Sequence, residues 1–80
     1  MEDREKHYEV KEHLGTLLKK FKGETKEVNL VSWNNAAPRF DIRRWSPEHK
    51  PLKGITLSEK EARLLYEILK GVFEKEAEDE

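Results

Sequence analysis

The chain changes its hydrophobic rhythm about two-thirds of the way along. Ala62, Leu65, Leu69, Val72 and Phe73, with Leu64 and Ile68 alongside, recur at spacings of three and four residues. That spacing gathers them on one stripe of an α-helix. Ser58 followed by Glu61 is a capping box, and Leu57 and Ala62 sit where a hydrophobic staple forms across the helix start. Glu59 and Glu61 fall at the positive end of the helix dipole, Lys70 and Lys75 at the negative end. A helix is expected over residues 58–75. Residues 76–80 have no apolar periodicity and are expected to fray as an acidic tail.

Upstream the rhythm is alternation. In the stretch 39–45, Arg39, Asp41, Arg43 and Trp45 fall on one side and Phe40, Ile42 and Arg44 on the other, the period of a strand. Pro38 and Pro47 bracket it, as proline suits strand ends. Residues 26–33 read as a second strand through Val28, Leu30, Val31 and Trp33, joined to the next by Asn34-Asn35-Ala36-Ala37. Val28 and Val31 share a face only across a bulge. The stretch 50–57 begins as a turn with Pro51 and Gly54 and feeds a short strand, Ile-Thr-Leu. The first element has two readings. Val10, Leu14, Leu17, Leu18 and Phe21 fit a helical stripe, whereas Tyr8, Val10, Leu14, Thr16 and Leu18 fit an alternating strand. Gly15 weighs mildly against the helix.

At 80 residues the chain is expected to be a single domain, 1–80, with sheet over about 7–57. Only 35% of residues are hydrophobic against 41% charged, too polar for a large interior, so a second copy is a natural source of stability. No apolar run approaches the roughly 20 residues that span a bilayer. The start, MEDREKHYEV, lacks an apolar secretory core, and a cytoplasmic location is expected. The absence of Cys removes disulfides, thiol catalysis and cysteine metal sites. His7, His13 and His49 lie in separate segments without a nucleophile or metal motif, and no phosphate-cradling glycine loop occurs. The expectation is therefore no enzyme, no cofactor, no metal and no small-molecule substrate.

Charge adds a different signal. Residues 1–18 carry three basic and five acidic side chains, residues 19–53 nine and four, and residues 54–80 four and eight. The middle is thus a cationic unit between acidic ends. It reads either as an ordinary solvated surface or as a surface that steers a polyanion. Arg39, Arg43 and Trp45 would project from one face of a single strand, on which side chains two residues apart stand roughly 7 Å apart, close to the phosphate spacing of an extended polynucleotide. Guanidinium groups clamp phosphate and an indole offers a stacking plane, although Trp45 equally suits a sheet core. Asp41, between the arginines, would orient one or both. Phe40 and Ile42, opposite, suit packing under the helix stripe. The helix itself is acidic and a poor reader of a duplex groove.

Three phrases carry a resemblance: Asp41-Ile42-Arg43, Trp45-Ser46-Pro47 and Lys53-Gly54-Ile55-Thr56-Leu57-Ser58. Together they resemble the positive cofactor four transcriptional coactivator family, most closely its bacterial YdbC-like branch. The resemblance implies an α+β fold, a curved four-stranded antiparallel sheet followed by one C-terminal helix, assembled as a homodimer. It resolves the first element as a strand. It implies single-stranded DNA as the partner, bound with little sequence preference, and carries the contact role to Arg43, Lys53 and, more loosely, Trp45. Lys26, Trp33 and Arg39 join them as candidates from the residue pattern, with Arg44 ranked lower because it points with Phe40 and Ile42. The family's lysine-rich turn is here Asn34-Asn35-Ala36-Ala37, and its acidic regulatory extension has no counterpart. Two alternatives stand beside this reading: RNA on the same face, and a module that binds another protein at its sheet.

Overall fold

The computed structural model of the protein describes residues 7–78. Four strands run in chain order: β1 (Tyr8–Lys19), β2 (Thr25–Trp33), β3 (Arg39–Trp45) and β4 (Pro51–Leu57), followed by a single helix, α1 (Glu59–Glu78). They form one open antiparallel sheet in the order β1-β2-β3-β4. This is the α+β arrangement expected, and the two-valued first element is a strand.

The ladder between β2 and β3 is unbroken from Thr25↔Trp45 to Val31↔Arg39. Val28 and Val31 therefore lie on opposite faces, and no bulge in β2 brings them together. Irregularity is confined to the two outer strands. β1 slips against β2 between Val10 and Glu12, His13 and Gly15, and Thr16 and Leu18, so three residues of β1 repeatedly oppose two of β2. Such bulges bend and twist a strand. The β2–β3 connection closes with Ala36 N–H donating to Trp33 O at 2.9 Å. Asn34 and Asn35 take positive φ values of 53° and 65°, the signature of a hairpin turn that asparagine tolerates.

One face holds Thr25, Glu27, Asn29, Val31 and Trp33 of β2 against Arg39, Asp41, Arg43 and Trp45 of β3; we call it the inner face. Asn29, Val31, Asp41 and Trp45 on it are fully buried, yet no helix lies over them. The sheet therefore curls across its own inner side. The outer face carries Val28, Leu30, Ile42, Ile55 and Leu57, all at least partly exposed.

The helix does not cover that outer face. Phe40 meets only its first turns, sharing a shallow depression with Ala62 and Tyr66, and Ile42 is not beneath the stripe. Leu64, Ile68, Leu69, Val72 and Phe73 remain 44–63% exposed. The reason is the connection: only Ser58 separates β4 from α1, too little chain to fold the helix back over the sheet. The radius of gyration is accordingly 15.3 Å, against about 12 Å for a compact domain of this length. The surface of 6544 Å² likewise exceeds the about 5,000 Å² usual for this mass.

At the helix start the capping box is complete. Ser58 N–H donates to Glu61 Oε1 at 2.9 Å, and Glu61 N–H donates to Ser58 Oγ at 3.1 Å. The helix continues through Glu78, past residue 75, so residues 76–78 of the acidic tail are helical and Asp79 and Glu80 lie outside the described residues. Among the described residues no helix is long and apolar enough to cross a membrane. Ser58→Ala should cost about 1 kcal/mol of stability, read as a lower denaturation midpoint in urea with an unchanged slope.

Candidate nucleic-acid interface

The inner face is organised around Asp41. Its carboxylate is fully buried and accepts hydrogen bonds from Arg43 Nε at 2.7 Å, Arg43 Nη2 at 2.8 Å and Thr56 Oγ1 at 3.0 Å. Of the two arginines flanking it on this face, Asp41 orients Arg43. The third guanidinium nitrogen, Nη1, donates to Leu52 O at 2.8 Å. Arg43 crosses β4 to make that bond, and Gly54 lies opposite it in the ladder. A Cβ at position 54 would sit 1.9 Å from Arg43 Cβ and 2.5 Å from Ile42 O, so only glycine leaves room there. The guanidinium carbon stands 4.7 Å above the centre of the Trp33 ring, within range for a cation–π contact.

Aromatic rings fill the rest of the face. Tyr8 lies between the two tryptophans, 5.7 Å from Trp33 and 5.9 Å from Trp45. Trp45 is fully buried, and the His49 ring stacks on it at 4.4 Å with planes only 9° apart. His49 reaches this place from the β3–β4 turn with a positive φ of 61°, a strained backbone for a non-glycine residue. The turn is held by His49 N–H donating to Ser46 O and Lys50 N–H donating to Ser46 Oγ. The indole N–H groups of Trp33 and Trp45 are buried without a hydrogen-bond partner within the described residues.

A second carboxylate anchors the histidines. Glu27 is buried and accepts from Thr25 Oγ1 at 2.6 Å, Asn29 Nδ2 at 3.2 Å and His49 Nε2 at 3.3 Å, with His13 Nδ1 at 3.6 Å. Burial alone would raise its pKa. The hydrogen bonds from Thr25, Asn29 and His49 outweigh that effect and hold the carboxyl below its ordinary value. Asn29 also accepts from His13 Nδ1 at 2.6 Å, which ties β1 into the same network.

The six candidate residues divide between two faces. Trp33, Arg39, Arg43 and Trp45 share the inner face, with Arg39 exposed and without a carboxylate partner among the described residues. Lys26 pairs across the ladder with Arg44 on the outer side, where both line a shallow depression with Lys53, Ile42 and Ile55. Trp45 offers no free ring while His49 lies on it. The polar residues of the inner face, Glu27, Asn29 and His13, and the stacked His49 were not among the candidates. The first two could have been found from the alternation of Glu27, Asn29, Val31 and Trp33, which places them beside Arg43. Nothing in the residue pattern signals the reach of His49.

The profile of the Transcriptional Coactivator p15 (PC4) family matches residues 20–68, a span that holds β2, β3, β4 and the start of α1. The chain belongs to this family. It is also similar to an uncharacterized protein of Treponema pallidum (strain Nichols), 37% identical over 67 residues that cover 82% of this chain and 79% of the relative. The PC4 family is known for single-stranded DNA binding and coactivator roles, and its domain is nucleic-acid-binding and non-enzymatic. The matched span contains the Asp41–Arg43 clamp, Gly54 and the Trp45–His49 stack.

Because the Glu27 carboxyl is held below its ordinary pKa of 4.5 in the fold, the ionised form stabilises the native state. That contribution is present above the unfolded value and is lost as pH falls through the folded one. Thermal stability should therefore decline as pH is lowered below about 4.5. Glu27→Gln should flatten that decline in a series of melting curves.

Proposed function

We propose that the protein is a homodimeric single-stranded DNA-binding protein, largely indifferent to sequence, acting in the cytoplasm in transcription, replication or repair. One observation carries the reading. A sheet face that the helix leaves uncovered brings Arg39, Arg43 and Trp33 together, with Trp45 beside them beneath His49, in a chain whose family is known for binding single-stranded DNA. A guanidinium has five N–H donors, and Asp41 and Leu52 use three of those on Arg43. The remaining two, together with those of exposed Arg39, donate to phosphate oxygens. Trp33, partly exposed, offers a base the ring surface that Arg43 and Tyr8 leave free. Trp45 takes a base only in exchange for His49, whose imidazole already lies parallel to the indole where a base would stack. Lys26 and Lys53 face the other way and serve phosphates that pass around the sheet edge.

The homodimer reading is supported by what the isolated chain leaves uncovered. Much of the apolar stripe of α1, from Leu64 to Phe73, and Ile55 on the outer face are exposed, and burying them against a second copy would supply the interior that the single chain lacks. The inner faces of both copies would stay open to a strand.

A titration of tryptophan emission with oligothymidine, oligouridine and a duplex of matched length tests the reading. Oligothymidine should quench most strongly and the duplex least. Log affinity should fall with log salt at a slope of about −0.7 per phosphate contacted. Equal responses to oligothymidine and oligouridine would make the ligand single strands in general, and no quenching by either would overturn the reading. Trp45→Ala should weaken binding by about 1–3 kcal/mol. His49→Ala should instead bare the indole, seen as stronger iodide quenching of the free protein.

A further inference from the structure

The β1–β2 hairpin carries a feature that the inner face does not explain. Phe21 is 92% exposed at the tip of the turn, an unusual position for a phenyl ring. Lys19, Lys20 and Lys22 surround it in the chain. The turn is built, not loose: Lys20 N–H donates to Glu24 O at 2.8 Å and Gly23 N–H donates to Lys20 O at 2.9 Å. Gly23 takes a φ of 101° and lies against Pro47 of the β3–β4 turn, so that even a Cβ there would come within 3.1 Å of it. The tip is thus fixed at the same end of the sheet as Trp45, whose ladder partner is Thr25.

That end is where the unneutralised cations collect. Glu24 is already shared by Lys20 at 3.0 Å and Arg44 at 2.7 Å, which together hold its carboxyl below the ordinary value. Lys19, Lys22 and Lys26 have no carboxylate partner among the described residues. A lone aromatic ring set among lysines is a poor fit for an apolar protein surface. It fits a chain that alternates flat apolar rings with anions, because one stacked base brings a phosphate to each side.

We propose that the β1–β2 hairpin tip is a second contact for single-stranded nucleic acid, with Phe21 stacking one base and Lys19 and Lys22 pairing the flanking phosphates. This rests on the single-stranded DNA reading above and extends the strand's path beyond the inner face, past Pro47, to the end of the sheet. It supplies the open stacking ring that Trp45, beneath His49, does not.

The full chain and its Phe21→Ala, Phe21→Trp and Lys19→Gln/Lys22→Gln variants would be titrated with end-labelled oligothymidine. Phe21→Ala should lose affinity on the order of tenfold, Phe21→Trp should restore it, and the double lysine variant should show a shallower salt slope. Photocrosslinking with an iodouridine-substituted oligonucleotide should label the peptide containing Phe21. Wild-type binding with unchanged affinity in Phe21→Ala and no label at the tip would overturn this proposal and leave the inner-face reading standing. A sedimentation shift toward monomer in Phe21→Ala, without the affinity loss in a dimeric background, would assign the ring to contacts between copies and also overturn it. No binding by the wild type would overturn both.

Discussion

A buried carboxylate has to be neutralised where it sits, and Asp41 is neutralised by a guanidinium from the next inward-facing position of its own strand. Two bonds to Asp41 and one to the Leu52 carbonyl hold that guanidinium over Trp33. The pair ties β3 to β4 through Thr56 as well, so the register of the sheet and the aim of Arg43 depend on the same contact. Breaking a buried ion pair by removing one partner leaves the other charge uncompensated, at a cost of about 3–5 kcal/mol. A loss of DNA binding on removing Arg43 would thus mix a missing phosphate contact with a disturbed sheet. Arg39, exposed and unpaired among the described residues, separates the two effects more cleanly.

On the inner face Asp41 is matched by Arg43 and Glu27 accepts a hydrogen bond from His49, which leaves exposed Arg39 as the cation there without a carboxylate partner among the described residues. Most of the positive excess of the middle of the chain lies elsewhere. It is carried to the sheet end by the β1–β2 hairpin and to the outer side by Lys26, Arg44 and Lys53. On the proposed reading, a field of this shape draws a polyanion toward one end of the molecule, while the interior of the curl provides shape and stacking. Attraction and orientation are assigned to different parts of one small sheet.

Much of this architecture was legible in the residues. β3 ends where its alternation does, between prolines, and the capping box marks the helix start within one residue. The grouping of Arg39, Asp41, Arg43 and Trp45 on one face, away from the helix, follows from parity alone. β1 was ambiguous for a physical reason. Its slips skip Lys11, Leu14 and Leu17, one residue in every three, so the inward positions Tyr8, Val10, His13, Thr16 and Lys19 recur almost as on a helix. Burial of Trp45 was one of two readings its residue type left open, and the ring that covers it was not legible. That ring arrives by way of a turn with a strained backbone, and no pattern of polar and apolar residues records such a conformation. The exposure of the helix stripe depends on a one-residue connection, a matter of chain length and not of periodicity.

The same slips bear on how the chain can tolerate changes in length. In β1, one residue gained or lost would move a bulge along the strand, and the side chains beyond it could keep their sides. β3 has no such slack against β2. A single insertion before Asp41 would exchange it with Ile42, placing a hydrocarbon in the polar interior and an acid among the outward aliphatics. Variation in length should accordingly accumulate in the first strand and its hairpin, while the spacing from Arg39 to Trp45 stays constant.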